Sequence, residues 1–172
     1  FIYRNQYVQD FNISKILTTN TIAGAGENSN YYRPLTTLSF AIDYQLWGDS
    51  VAGFHFTNTL LHSLAGIMLF LFLIEIGIGK KTSFWIALIF LLHPIQTEAV
   101  GYINSRGDSW YATCGLASLY LFTRIINQRP IVLRVYQSQI TLNLWAMMIL
   151  SALLYLGSIL GKEIGIAIFG LM

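Results

Sequence analysis

The sequence predicts an all-α fold, a polytopic membrane helix bundle with amphipathic surface helices in its first outer loop. Three observations point there. The 172 residues are 55% hydrophobic and only 10% charged, with a mean hydropathy of +0.56, whereas ordinary soluble domains carry about 25% charged residues. The apolar residues are gathered into long runs, as membrane crossings require. The charges lie in short stretches between those runs, and their distribution carries more information than their sum. A net charge of +2 leaves no nucleic-acid footprint, so no such partner is expected. The single Cys114 excludes an intrachain disulfide and any multi-cysteine metal site. In its apolar run it reads as a small packing residue.

The chain opens at Phe1 without a methionine or signal peptide and stops at Met172 inside an apolar segment, so it reads as a piece of a larger protein. Residues 1–52 are expected to form an outer loop, periplasmic or lumenal, with short interfacial helices. Residues 53–172 are expected to form the bundle, with about four crossings and the start of a fifth. In the loop, Asn12 is placed to cap a short helix over Ile13–Leu17, and the Thr-, Asn- and Gly-rich stretch from Thr18 to Asn30 reads as irregular. Pro34 suits a first helical turn. After it, Leu35, Leu38, Ile42 and Leu46 repeat at helical spacing with Tyr44 and Trp47 beside them, the pattern of a helix lying on the membrane surface. Gly48-Asp49-Ser50 ends it.

The first crossing runs from about Gly53 to Ile76. His55, Asn58 and His62 share one face of its polar half, which suits either a neighbouring helix or a water-filled cavity. Two histidines so spaced, with no third ligand nearby, make a weak metal site. The run Phe84–Leu92 spans only about 14 Å as helix, so the second crossing is expected to continue past Pro94 to about Ile103. The third covers Trp110–Ile126, with Ser105 and Asp108 in a capping-box pattern, and the fourth about Thr141–Leu160. Gly161-Lys162-Glu163 interrupts before a fifth begins at Ile164.

Lys80, Lys81, Arg124, Arg129 and Arg134 fall in two short loops where Glu75 is the only acid, so that side is expected to be cytoplasmic. Residues 1–50, the His93–Asp108 stretch and Lys162-Glu163 then share the outer face. Taken singly, His93 reads equally as a helix-end histidine, Glu98 as a solvated carboxylate, and Arg106 as a partner of Asp108 or of lipid headgroups. Together, carboxylates, cations and a histidine at one membrane face suit an anionic, lipid-linked substrate. The cations would neutralise phosphate, and a carboxylate would act as base or metal ligand.

Five motifs then occur in order: Tyr32-Arg33-Pro34-Leu35-Thr36, Gly53-Phe54-His55-x-x-Asn58-x-x-Leu61-His62, His93-Pro94-x-x-Thr97-Glu98-Ala99-Val100, Ser105-Arg106-Gly107-Asp108 and Gly161-Lys162-Glu163. In these the chain resembles the membrane domain of the transmembrane and tetratricopeptide-repeat O-mannosyltransferase-like proteins and their bacterial relatives, within the C-type glycosyltransferase superfamily. The resemblance covers nearly the whole chain. It implies a multi-pass protein of the bacterial inner membrane or the endoplasmic reticulum, with membrane lipids, a lipid-linked sugar and a protein or glycan acceptor as partners. A polyprenyl-phosphate-linked sugar, mannose among the candidates, would be the donor, and metal dependence stays open. By this resemblance Glu98 and Asp108 are the catalytic candidates, while Arg33, Arg106 and Lys162 would contact the lipid phosphate. His55, His62, His93 and Glu163 would shape or line the substrate site. The family's early acidic pair would stand just upstream of Phe1, so the presumed catalytic aspartate is expected outside this chain. A transporter or flippase-like module for a lipid-linked anion, or a plain membrane anchor, would use the same polar faces without breaking a bond.

Overall fold

The computed structural model describes residues 2–135 and 138–172, with side chains outside 132–142 and 171. The outer loop folds as α1 (Gln6–Gln9), α2 (Ile13–Thr18) and α3 (Pro34–Trp47), with 3-10 turns at Ile2–Arg4 and Ala23–Ala25. Asparagines begin the first two helices: Asn5 accepts from the N–H groups of Tyr7 and Val8, and Asn12 from that of Lys15. Pro34 stands at the start of α3, and Gly48, at φ +57°, ends it as the sequence predicts. Its two faces meet different surroundings. The inward face is Thr36, Thr37, Ser39, Phe40, Ala41 and Asp43, while Ile42, Leu46 and Trp47 are exposed. A helix that buries small polar groups on protein and turns its large apolar groups outward is matched to lipid. Its apolar contacts, Phe40 and Ala41, join Ile2, Val8, Ile16 and Phe54 in a small core.

α4 (Val51–Glu75) follows the tight turn, and at about 37 Å it exceeds the apolar thickness of a bilayer. Gly77, at φ +95°, closes it: the N–H of Gly77 bonds the Ile74 carbonyl and that of Ile78 the Leu73 carbonyl. α5 (Lys80–Leu92) then returns, but does not continue straight to Ile103. It stops at Leu92, a 3-10 turn covers Pro94–Gln96, and α6 (Thr97–Gly101) leaves at 49°. Proline at this point removes the donor a continuing helix needs. α4 and, further along the chain, α8 (Leu144–Gly161) are long and apolar enough to cross a membrane, and α5 with residues 94–101 is a third if the bent pair is one span.

α7 (Arg106–Ile126) begins four residues before the expected Trp110. It measures about 32 Å but is less apolar than α4 or α8. The expected capping box is not formed: Ser105 makes no side-chain cap, and Asp108 turns elsewhere. In the loop that follows, β1 (Ile131–Val135) and β2 (Ser138–Leu142) form a short antiparallel hairpin, a small addition to an otherwise helical fold. The side chain of Arg134, counted in the basic loop, lies outside the described residues, as does Gln137. α8 (Leu144–Gly161) is capped by Asn143, which accepts from the Ala146 N–H at 2.9 Å. A 3-10 segment over Glu163–Leu171 folds back against α7 and α8.

α7 is the central helix, with α4 on one flank and α8 on the other, and α5 lies outside α4. α7 and α8 run antiparallel, locked by reciprocal Ser118 and Ser151 hydroxyl-to-carbonyl bonds of 2.8 and 3.1 Å. α4 and α7 run parallel. Thr113 donates to the Leu61 carbonyl midway, and Glu75 meets Arg124, Arg129 and Asn127 at the far end. The basic loops therefore gather at one end of the bundle, and α3 with the loop helices caps the other.

Candidate functional site

The break at Pro94 builds the site. With no N–H on Pro94 and the Ile95 N–H turned to His93 Nδ1 at 3.2 Å, the last carbonyls of α5 lose their helical donors. His62, on α4, supplies one: its Nε2 lies 3.3 Å from the Leu91 carbonyl, which can only accept, so this nitrogen carries the proton. The imidazole also packs on Phe90, centroid to centroid 5.2 Å. One turn deeper, Gly66 lets α5 approach, since a Cβ there would lie 2.5 Å from Leu91 Cδ2.

Beyond the break, α6 swings over a cleft of about 360 Å³ bordered by His62, Gln96, Glu98, Asp108, Tyr111 and Lys162. Four of the residues singled out from sequence therefore meet in one place. Asp108 Oδ1 and Lys162 Nζ are 2.5 Å apart, so the ammonium is already matched. Glu98 is exposed, and its carboxylate has neither a hydrogen bond nor an ion pair among the described residues. Two carboxylates against one ammonium leave this cleft a net negative charge. Such a site suits hydrogen bonding to hydroxyl groups or uptake of a proton better than it suits a bare phosphate. No group of three or more His, Cys, Asp or Glu side chains able to hold a metal is found among the described residues.

Arg106 does not reach the cleft. It is fully buried, with Nη2 2.6 Å from Asp43 Oδ2, Nε donating to Asn58 Oδ1 at 2.7 Å and Nη2 donating to the Phe54 carbonyl at 3.1 Å. Its guanidinium lies 4.3 Å from the Phe40 ring centroid, and Thr57 donates to the other oxygen of Asp43 at 2.9 Å. This knot ties α3, α4 and α7 together. Asp43 and Asn58 act here; from sequence Asn58 has only a place on the face of His55 and His62, and Asp43 has no role.

Arg33 forms a second cluster on the other side of the Gly161-Lys162-Glu163 strap. Its Nε and Nη2 donate to Glu163 at 3.0 and 2.8 Å, and its guanidinium lies 4.7 Å from the Tyr31 ring centroid. Partial burial alone would raise the Glu163 pKa. The Arg33 hydrogen bonds, the backbone N–H and the charges of Arg33 and Lys162 outweigh it and hold the carboxyl below its ordinary range. Beside Arg33 opens a mainly apolar pocket of about 290 Å³ lined by Ile22, Tyr31, Thr36, Phe40 and Asn104.

His55 and His93 lie apart from both clusters. His55 borders a separate pocket with Tyr3, Tyr102 and Asn104, and His93 sits exposed at the end of α5 beside Trp85 and Leu92. Close backbone approach explains the glycines of two motifs. A Cβ on Gly107 would lie 3.1 Å from the Gly161 carbonyl, which accepts from Thr36 Oγ1 at 2.8 Å.

Comparison with known proteins adds a set of relatives. The chain is 32% identical over 158 residues to "Protein O-mannosyl-transferase TMTC1" of Homo sapiens, a match covering 88% of this chain and 17% of that protein. It is 29% identical over 140 residues to "Protein O-mannosyl-transferase TMTC3" of Mus musculus, covering 81% of this chain and 14% of the relative. With "Protein O-mannosyl-transferase Tmtc1" of Drosophila melanogaster it shares 28% over 135 residues, 78% of this chain and 14% of the other. The chain thus spans 14% to 17% of the length of these three relatives. No family model and no solved structure matches it.

Proposed function

We propose that the chain, which belongs with the protein O-mannosyl-transferases it matches over most of its length, is a stretch of the membrane domain of that family and forms part of an integral-membrane glycosyltransferase. The donor is a sugar on a polyprenyl phosphate, the acceptor a protein or glycan hydroxyl, and the chemistry takes place on the outer or lumenal face. The protein crosses the membrane several times, in a bacterial inner membrane or the endoplasmic reticulum, with the basic loops cytoplasmic. The observation that carries this reading is the meeting of Glu98, Asp108, Lys162 and His62 around one cleft at the end opposite those loops.

In the transfer, the acceptor oxygen bonds to the anomeric carbon as the bond from that carbon to phosphate oxygen breaks. The prenyl phosphate leaves with the electron pair, and a carboxylate takes the hydroxyl proton. Glu98, exposed and unpaired, holds the acceptor hydroxyl and receives that proton. Asp108 holds Lys162 at the edge of the cleft, where the pair borders the acceptor side of the site. Arg106 supports the site through α3 and α7 and does not touch the donor.

The test is product formation by the purified full-length protein with a polyprenyl-phosphate sugar and an acceptor peptide or glycan. Glu98→Gln is expected to reduce transfer by about a hundredfold, the range for a lost general base, while folding and donor binding persist. Equal transfer by wild type and Glu98→Gln would remove Glu98 from the chemistry. One observation favours a transporter module instead: broken helices line transport sites, and the 49° break borders this cleft. Movement of the lipid-linked substrate without any glycosylated product would put that reading first.

A further inference from the structure

The three cations that the motifs place on this face are not waiting for a ligand. Arg33 holds Glu163, Lys162 holds Asp108, and Arg106 holds Asp43. The three pairs differ in how easily they part. Arg106–Asp43 is sealed, with side chains 0% and 5% exposed, whereas the Arg33 and Glu163 side chains are 23% and 47% exposed. A pair that open to water is worth little, so its carboxylate can leave at small cost. The fork that Arg33 offers Glu163, two N–H groups on one carboxylate, is the geometry by which guanidinium also takes a phosphate. From that fork the apolar pocket of Ile22, Tyr31 and Phe40 extends, so an anion bound there would have an apolar wall for whatever it is esterified to.

We propose that Glu163 is a built-in competitor for phosphate: it occupies Arg33 in this state, and the phosphate of a lipid phosphate monoester or diester displaces it, with the first part of the lipid chain in the adjoining pocket. The inference deepens the transferase reading and rests on it for the identity of the lipid. It reverses the expected role of Glu163, which becomes a gate and not a substrate contact. The backbone is extended at Lys162, φ −157° and ψ 141°, and the two neighbouring side chains go to different partners, Lys162 to Asp108 and Glu163 to Arg33.

The experiment measures equilibrium binding of farnesyl phosphate, farnesol and inorganic phosphate to the purified full-length protein in detergent, without turnover. Glu163→Gln is expected to tighten farnesyl phosphate about fivefold, the equivalent of about 1 kcal/mol. Arg33→Ala is expected to weaken it at least tenfold, and farnesol to bind alike in all three proteins. Inorganic phosphate should follow the same order more weakly if the lipid chain contributes, and as strongly as farnesyl phosphate if a free phosphate is the ligand, which would overturn the lipid assignment. Unchanged or weaker farnesyl phosphate binding in Glu163→Gln would overturn the gate. If that variant does not fold, Glu163→Asp, which shortens the arm and loosens the fork, must tighten binding in its place. Because binding is read without transfer, failure of the gate leaves the product assay untouched. Absence of product, conversely, leaves the binding order standing.

Discussion

Replacing Arg106 by methionine keeps most of the side-chain volume and removes the charge at the centre of the α3–α4–α7 knot. Asp43, with its side chain 5% exposed, would keep only the Thr57 hydroxyl, and Asn58 Oδ1 and the Phe54 carbonyl would each lose a charged donor. Breaking a buried ion pair from one side costs about 3–5 kcal/mol, because the other charge stays behind unpaired. Asp43→Asn keeps a hydrogen-bonding group and is expected to cost less, about 1.5–3 kcal/mol. Arg106→Met with Asp43→Leu leaves no orphaned charge and should recover part of the loss, with a coupling energy of about 2 kcal/mol. Detergent-denaturant titration of the purified full-length protein measures all three, with Asp43→Leu alone to close the cycle. Losses below about 1 kcal/mol with no coupling would refute the reasoning. If such variants fold normally but lose donor affinity, Arg106 is the phosphate contact that the motif resemblance implies.

Two further outcomes test the architecture. In a Cys114→Ala background, cysteines at Asn28 and at Lys81, both exposed, should react with an impermeant reagent from opposite sides of the membrane, and reaction from the same side would refute the orientation. Gly66→Ala would press a methyl into Leu91, and is expected to cost about 1–3 kcal/mol by overpacking, with Leu91→Ala in the same chain restoring much of it.

The helices were legible because each follows from local rules. Apolar runs mark α4, α5 and α8, Asn12 and Pro34 mark starts, and Gly48 marks a stop. The bend at Pro94 was half legible: proline announces a break, but length alone argued for one straight crossing, and the direction α6 takes depends on packing. The partners of the charges were not legible. Arg106 and Lys162 look alike in a sequence, as cations at the edge of an apolar run. One is buried in the knot beside Phe40 and the other opens on the cleft, and what decides between them is the neighbour each meets across the bundle. Asp43 carried a hint, as the one charged residue of α3, and only its pairing gives that hint a meaning.

Three of the five sequence motifs turn out to be one joint. Gly107 and Gly161 bring the start of α7 against the end of α8, Thr36 bonds the Gly161 carbonyl from α3, and the strap beyond sends Lys162 to Asp108 and Glu163 to Arg33. Adjacent side chains on an extended strand point to opposite sides, so one short strap borders both the negatively charged cleft and the apolar pocket. The two compartments therefore share a wall whose two charges are each held from a different helix. An arrangement serving only to anchor the chain would need neither the unpaired Glu98 nor a half-exposed Arg33 fork beside an apolar pocket. Apolar residues at those positions would pack the same helices without leaving ionised groups at a membrane face, where they are costly.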